Sequence, residues 1–262
     1  MLRTLHILAV ILCGTIVSAD DAPPPSSQPT DLVQPKLAPG LLKRRAELRS
    51  YLQKQSGVRR EKPTIPRGKP ADFLYCFREY DACKGDKKKL YGVVAGQLRL
   101  IEALLEQPGM EVQRSGLAII WQAAYCALQD IQDPKLAAEI CDIWMQPNLH
   151  LASPHDWQFS GLENMLTCCV AIYGKAEAHE QSLAISKVWL DKNIKQRDLN
   201  TADTARLTMA VALEGLKRYD EAIQVLEAIT HPSLATQKSR IPGLRTKRDA
   251  QQLEAAKQES PK

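Results

Sequence analysis

The chain has 262 residues, 44% of them hydrophobic, 25% charged and 5% aromatic, with a formal net charge of +5. This composition suits a globular chain with one sizeable core or a stack of repeats, and it requires no membrane-spanning architecture. The charge is unevenly placed: residues 36–70 hold 11 basic and 2 acidic side chains, residues 236–262 hold 7 and 3, and residues 71–235 between them hold 16 and 22, so the ends are basic and the body is acidic.

The chain opens with Arg3 and an apolar run from Leu5 to Val17, interrupted by His6, Cys13, Gly14 and Thr15. That run is shorter than the roughly 20 residues a helix needs to cross a bilayer. Val17-Ser18-Ala19 then offers small residues where a signal peptidase cuts, followed by the acidic, proline-rich Asp20-Asp21-Ala22-Pro23-Pro24-Pro25. Residues 1–19 therefore read as a cleavable signal peptide, with no transmembrane helix in the mature chain. Leu12 is bulky where lipoprotein signals carry a small residue, which argues against lipidation at Cys13. The expected location is exported: periplasm, envelope or medium.

Residues 20–70 read as a proline-rich, basic linker. Pro23, Pro24, Pro25, Pro29, Pro35 and Pro39 favour an extended, solvated chain at its start. Within it, Leu41, Leu42, Leu48, Tyr51 and Leu52 have helical spacing among Lys43, Arg44, Arg45, Arg49 and Lys54, which predicts a short basic helix over 41–55. Ser56-Gly57 ends it, and Pro63, Pro66 and Pro70 prevent continuation.

From residue 71 to 235 the apolar period is helical throughout, and no alternating strand pattern occurs. Helices are expected over 71–83, 88–107, 111–129, 134–145, 156–173, 177–194, 201–217 and 219–230. Their breaks have local causes: Pro108-Gly109, the cap and first-turn proline Asp133-Pro134, the loop from Pro147 to Pro154, and Gly174. Helices of this length joined by short turns pack antiparallel, and a single hairpin cannot bury its own apolar face, so stacking is predicted. The expected hairpins are 111–129 with 134–145, 156–173 with 177–194, and 201–217 with 219–230. The basic tail, 236–262, has helical spacing over 244–258 but only Leu244, Leu253 and Ala256 as an apolar face, too thin to predict docking.

Two segments share one geometry. Met209, Ala210 and Leu213 lie on a predicted helix, and Leu216-Lys217-Arg218-Tyr219-Asp220-Glu221-Ala222-Ile223 leads through a turn to Leu226 and Ile229. Upstream, Trp121, Ala124, Tyr125 and Leu128 precede Asp133-Pro134, and Ala137, Cys141 and Trp144 follow it. Trp121 to Ala137 and Arg206 to Ala222 both span sixteen residues. These segments resemble tetratricopeptide repeats. Arg206 stands where that family prefers tryptophan, the middle hairpin around Ala184 and Val188 turns early, and repeat starts are farther apart than the family's roughly 34 residues. The resemblance implies an all-α stack of antiparallel hairpins, an α-solenoid, that binds an extended peptide or a partner protein. It implies no catalytic residue.

No constellation specifies a reaction, and no catalytic, cofactor-binding or metal-ligating residue is assigned. Phosphate loops, nucleophile motifs and zinc spacings are missing from the sequence; His179-Glu180 lacks a second histidine, and His150, His155 and Asp156 suit capping or solvent better than a metal. Cys168-Cys169 is the conspicuous pair, and an envelope enzyme or thiol-redox site there is the alternative function. Packing explains it as well, since Met165, Leu166, Val170 and Ile172 surround it. Cys76, Cys83, Cys126, Cys141, Cys168 and Cys169 all sit in helical patterns, which favours buried thiols over a disulfide framework; if a disulfide forms, Cys126 and Cys141 flank one turn and are the preferred pair. Lys43, Arg44, Arg45, Arg59 and Arg60 form a basic arm suited to an anionic envelope surface, whereas export and scarce aromatics argue against nucleic acid.

Overall fold

A computed structural model describes residues 39–57, 82–83, 85–107, 109–152, 161–196 and 198–259. The predicted signal peptide, the start of the linker, Arg59, Arg60, Cys76 and nearly all of the predicted helix 71–83 lie outside them. The described residues form nine α-helices, which we number in chain order: α1 Pro39–Ser56, α2 Lys87–Leu105, α3 Met110–Gln129, α4 Pro134–Ile140, α5 Leu162–Lys175, α6 His179–Gln196, α7 Leu199–Gly215, α8 Tyr219–Glu227 and α9 Ile241–Glu259. A π-turn, Cys141–Met145, and a 3-10 turn, Gln146–Leu151, extend α4, and a second 3-10 turn, Pro232–Arg240, precedes α9. No strand occurs among the described residues.

Helix starts follow the caps written in the sequence. Asp86, Asp133 and Asp198 each accept a hydrogen bond at 3.0 Å from the backbone N–H three residues on, and so open α2, α4 and α7. The start of α7 therefore lies at Asp198 and not at Thr201, whose hydroxyl instead donates to the Asp198 carboxylate at 2.7 Å. Gly109, at φ 111°, makes the turn between α2 and α3 that a side chain would resist.

The three expected hairpins are present and share a turn. Gln132, Glu177 and Lys217 take left-handed backbone conformations, at φ 57°, 56° and 59°, just after α3, α5 and α7. In the last two, the Ala178 and Arg218 N–H groups each reach back at 2.9 Å to the carbonyls of Tyr173 and Leu213, a bond that closes the helix end and reverses the chain. Neighbouring helices pack in sequence order, α2 on α3, α5 on α6, α6 on α7 and α7 on α8, as stacked antiparallel hairpins should.

Two cores run through the stack. The larger gathers Leu98, Ile101, Leu117, Ile120, Ala124, Ala137, Ile140, Trp144, Met165 and Tyr173 from α2 to α5, and α6 contributes Ile185 and Trp189. The smaller gathers Met209, Leu213, Ala222, Leu226 and Leu244, with Leu183 supplied from another face of α6. Helix α6 thus belongs to both cores. Glu163 on α5 holds it through hydrogen bonds from the Trp189 indole and, at 2.8 Å, the Lys192 ammonium.

Two elements differ from expectation in how they dock. The basic helix is not a free arm: it runs over Pro39–Ser56, buries Leu48 and Leu52, and packs on α2 and the π-turn. The tail helix α9 also docks. Its Ile241 and Leu244 are buried, and the thin apolar face is supplemented by charge: Arg240 and Lys247 both meet Glu214 at 2.6 Å, Arg248 meets Asp220 at 3.1 Å, and Arg245 meets Glu227 at 3.3 Å.

Candidate functional site

Trp144 and Arg45 organise the surface where α1 meets the body. Trp144 is fully buried, and the Arg45 guanidinium lies 5.5 Å from the centre of its ring. Arg45 is itself buried, with its Nη2 donating to the Ile143 carbonyl at 3.2 Å. Burial lowers the Arg45 pKa, opposed by the Glu102 carboxylate, yet arginine stays charged at any physiological pH. A desolvated cation over indole contributes about 2 kcal/mol. Arg45 is flanked by Arg44, 3.4 Å from Asp142, and by Arg49, paired with Glu102 on α2.

The π-turn carries a polar network next to this cation. Tyr173 donates to the Asp142 carboxylate at 2.7 Å, the Gln146 amide donates to the same oxygen at 3.2 Å, and the Asn148 amide donates to the Trp144 carbonyl at 2.6 Å. The Tyr173 hydroxyl is held in its protonated form, chiefly by burial, with the neighbouring thiols and Asp142 adding to the effect. Helix α4 was expected to run to residue 145 as one α-helix. It widens into the π-turn at Cys141, where Asp142 meets Tyr173 on α5 and the Ile143 carbonyl meets Arg45 on α1.

Between α1 and α4 lies a cleft of about 470 Å³. Leu48, Leu136 and Ile143 form its apolar floor, Arg44, Glu47 and Tyr51 rise from α1, and Asp133, Lys135 and Glu139 rise from the start of α4. Tyr51 is 40% exposed and meets Tyr91 edge-on, with centroids 6.2 Å apart. Leu42, on the same helix, is also exposed. Three of the charges at the rim are already engaged, Arg44 with Asp142, Glu47 with Lys43 and Asp133 with the Leu136 N–H it caps.

The residues of the repeat signature divide into core and rim. Ala124, Ala137, Cys141, Trp144, Met209, Ala210, Leu213, Ala222 and Leu226 are buried, while Leu128 and Tyr219 are half-buried. Trp121 is half-buried against the larger core, and Tyr125, 43% exposed, stacks on it with centroids 5.2 Å apart and planes 9° apart. Helix α3 meets its neighbours mainly through Leu117, Ile120, Ala124 and Ala127, which leaves Tyr125 at the rim.

The five described cysteines are buried or half-buried. Cys126 and Cys141 are both buried free thiols and are not joined. Cys141 begins the π-turn and interacts with Cys169 on α5, whereas Cys126 is influenced electrostatically by Asp130 and Cys83. Burial pushes the Cys126 thiol up to about 12 and raises Cys141 and Cys168 well above the usual thiol range. Such thiols are protonated at neutral pH and are poor nucleophiles, the opposite of what a thiol-redox centre needs of Cys168.

Of the five residues proposed to meet an anionic surface, Arg45 is buried, Arg44 pairs with Asp142 and Lys43 pairs with Glu47 at 3.8 Å, while Arg59 and Arg60 lie outside the described residues. No described group of three or more His, Cys, Asp or Glu side chains could hold a metal ion, and no described helix is long and apolar enough to cross a membrane. No protein-family model, curated protein or solved structure matches the chain.

Proposed function

We propose that the chain is an exported scaffold of tetratricopeptide-like hairpins that binds a partner peptide in the cleft between α1 and α4. One observation carries the reading: the cleft joins an apolar floor, an accessible aromatic ring and charges of both signs, the mixture by which peptide grooves fix both side chains and orientation. Tyr51 supplies a rigid ring against which an aliphatic or cationic side chain packs at little entropic cost. Glu139 and Lys135, on successive turns of α4, set the charge pattern a ligand must complement.

The test is selection of binders from a random peptide library displayed on phage. Peptides that bind the chain should lose at least tenfold in affinity to Tyr51→Ala and change sequence preference when selected against Glu139→Lys. They should bind Val188→Ala, altered on the exposed side of α6, as they bind the parent. Peptides insensitive to Tyr51, or no enrichment over an unrelated helical protein, would rule out this cleft. Export is tested separately by sequencing the N-terminus of the chain recovered outside the cytoplasm, which should begin at Asp20.

A further inference from the structure

We propose that Cys141 and Cys169 are poised to form a disulfide when the chain folds in an oxidising compartment, stapling the π-turn to α5; its use in the cell rests on the export reading above. Both residues have no exposed surface, and α5 packs directly on the π-turn. The Cys169 thiol donates to the Met145 sulfur at 3.2 Å, and Met145 lies one turn beyond Cys141 on the same element. The Cys169 thiol also lies within hydrogen-bonding reach of Cys141. Three sulfurs thus meet where two elements far apart in the chain cross. Bonding the two cysteines brings their sulfur atoms to about 2 Å, across an interface that already exists between α5 and the π-turn.

The other described cysteines lack this arrangement. Cys168 is adjacent to Cys169 on one helix, so its side chain points in a different direction around the axis, and it remains half-buried. Cys83 and Cys126 influence each other electrostatically, and Cys83 keeps partial exposure.

The chemistry is an exchange. A Cys169 or Cys141 thiolate attacks the disulfide of a small-molecule or protein oxidant, releasing one thiolate of that oxidant and leaving a mixed disulfide. The second cysteine, losing its proton, attacks the bound sulfur, closes the Cys141–Cys169 bond and releases the oxidant's other thiolate. Two cysteine thiols are oxidised and one oxidant disulfide is reduced to two thiols. Burial keeps the Cys141 thiol protonated in the finished fold, so the exchange belongs to the folding chain, before α5 closes over the turn. Afterwards the same burial shields the bond from reductants.

The experiment has two arms. The chain recovered outside the cytoplasm is denatured with an alkylating reagent and no reductant, digested and mapped by mass spectrometry. Separately, reduced and denatured chain lacking residues 1–19 is refolded in oxidised and reduced glutathione and mapped in the same way. The expected result in both is one linked pair of peptides carrying Cys141 and Cys169, with Cys126 and Cys168 alkylated. Cys169→Ser should abolish the linked pair and restore alkylation at Cys141 while leaving the helical circular dichroism of the refolded chain unchanged. Full alkylation of Cys141 and Cys169 after refolding, or a dominant link to another cysteine, would overturn the pairing. If refolding forms the pair but the cell retains an uncut N-terminus in the cytoplasm, the export reading fails and the pairing stands.

Discussion

The two cores of this stack are held by different forces. Around Trp144 and Tyr173 the apolar cluster is large, drawn from α1 to α6, and the polar groups that enter it, among them Arg45, Asp142 and the Tyr173 hydroxyl, are hydrogen-bonded to its own elements. Around Leu213 and Leu226 the apolar cluster is smaller, and carboxylates on α7 and α8 clamp the elements that follow. Asp203 is the clearest case: its side chain has no exposed surface, and it accepts from the Thr230 and His231 N–H groups at 2.7 and 2.6 Å while pairing with Arg206. Desolvation works to raise its pKa, but those hydrogen bonds outweigh it and hold the carboxyl below its ordinary value. A stack of similar hairpins can therefore lean on buried apolar area more at one end and on paired charge more at the other.

Substitutions can break or sharpen that contrast. The largest effect is expected at Trp144→Ala, which removes a fully buried ring and the surface under Arg45: a loss of about 3–5 kcal/mol of unfolding free energy, measured by urea denaturation. An equal loss at low and high salt would mark it as a packing effect. A smaller loss, about 1.5–3 kcal/mol, is expected for Asp203→Asn, whose amide cannot accept from all three donors. Because the folded pKa of Asp203 is depressed, its contribution is complete above the unfolded value of about 3.9 and disappears as pH falls through the folded value. The parent should thus lose stability on acidification below about pH 4, and Asp203→Asn should flatten that limb; an unchanged acid limb would remove Asp203 from the explanation. The smallest effect belongs to Glu214→Gln, which releases Arg240 and Lys247: about 0.5–1 kcal/mol for partly exposed pairs. It should speed hydrogen exchange in α9 without altering α2 or α3, and the difference from the parent should shrink in 1 M salt, where screening extends over only about 3 Å.

Much of the helical order was legible because its signals are local. Asp133-Pro134 caps and starts α4 with no help from the rest of the chain, and the hairpin turns follow from short connections between amphipathic helices. The left-handed residues were less legible, since Gln132, Glu177 and Lys217 are not the glycines that such turns usually announce. What the pattern of apolar residues could not show was docking. Helix α1 reads as a basic amphipathic segment, and nothing near it in sequence says that Arg45 belongs over Trp144. Helix α9 has too few apolar residues to predict attachment because its partners are carboxylates spread over α7 and α8. The change from α- to π-geometry at Cys141 likewise coincides with contacts from Tyr173 and Arg45, which approach from other elements. The cleft inherits that limit: α1 supplies one wall and α4 the other, and neither wall suggests the other.

The contact between Arg45 and the Ile143 carbonyl joins residues 98 positions apart. Chains are synthesised at about 5–20 residues per second, so α1 emerges about 5–20 seconds before the turn that receives it. During that interval Leu48 and Leu52 can meet α2 but not the turn. The earliest-made helix of the described chain therefore docks in two stages, and whatever attends the nascent polypeptide meets it with one side still uncovered.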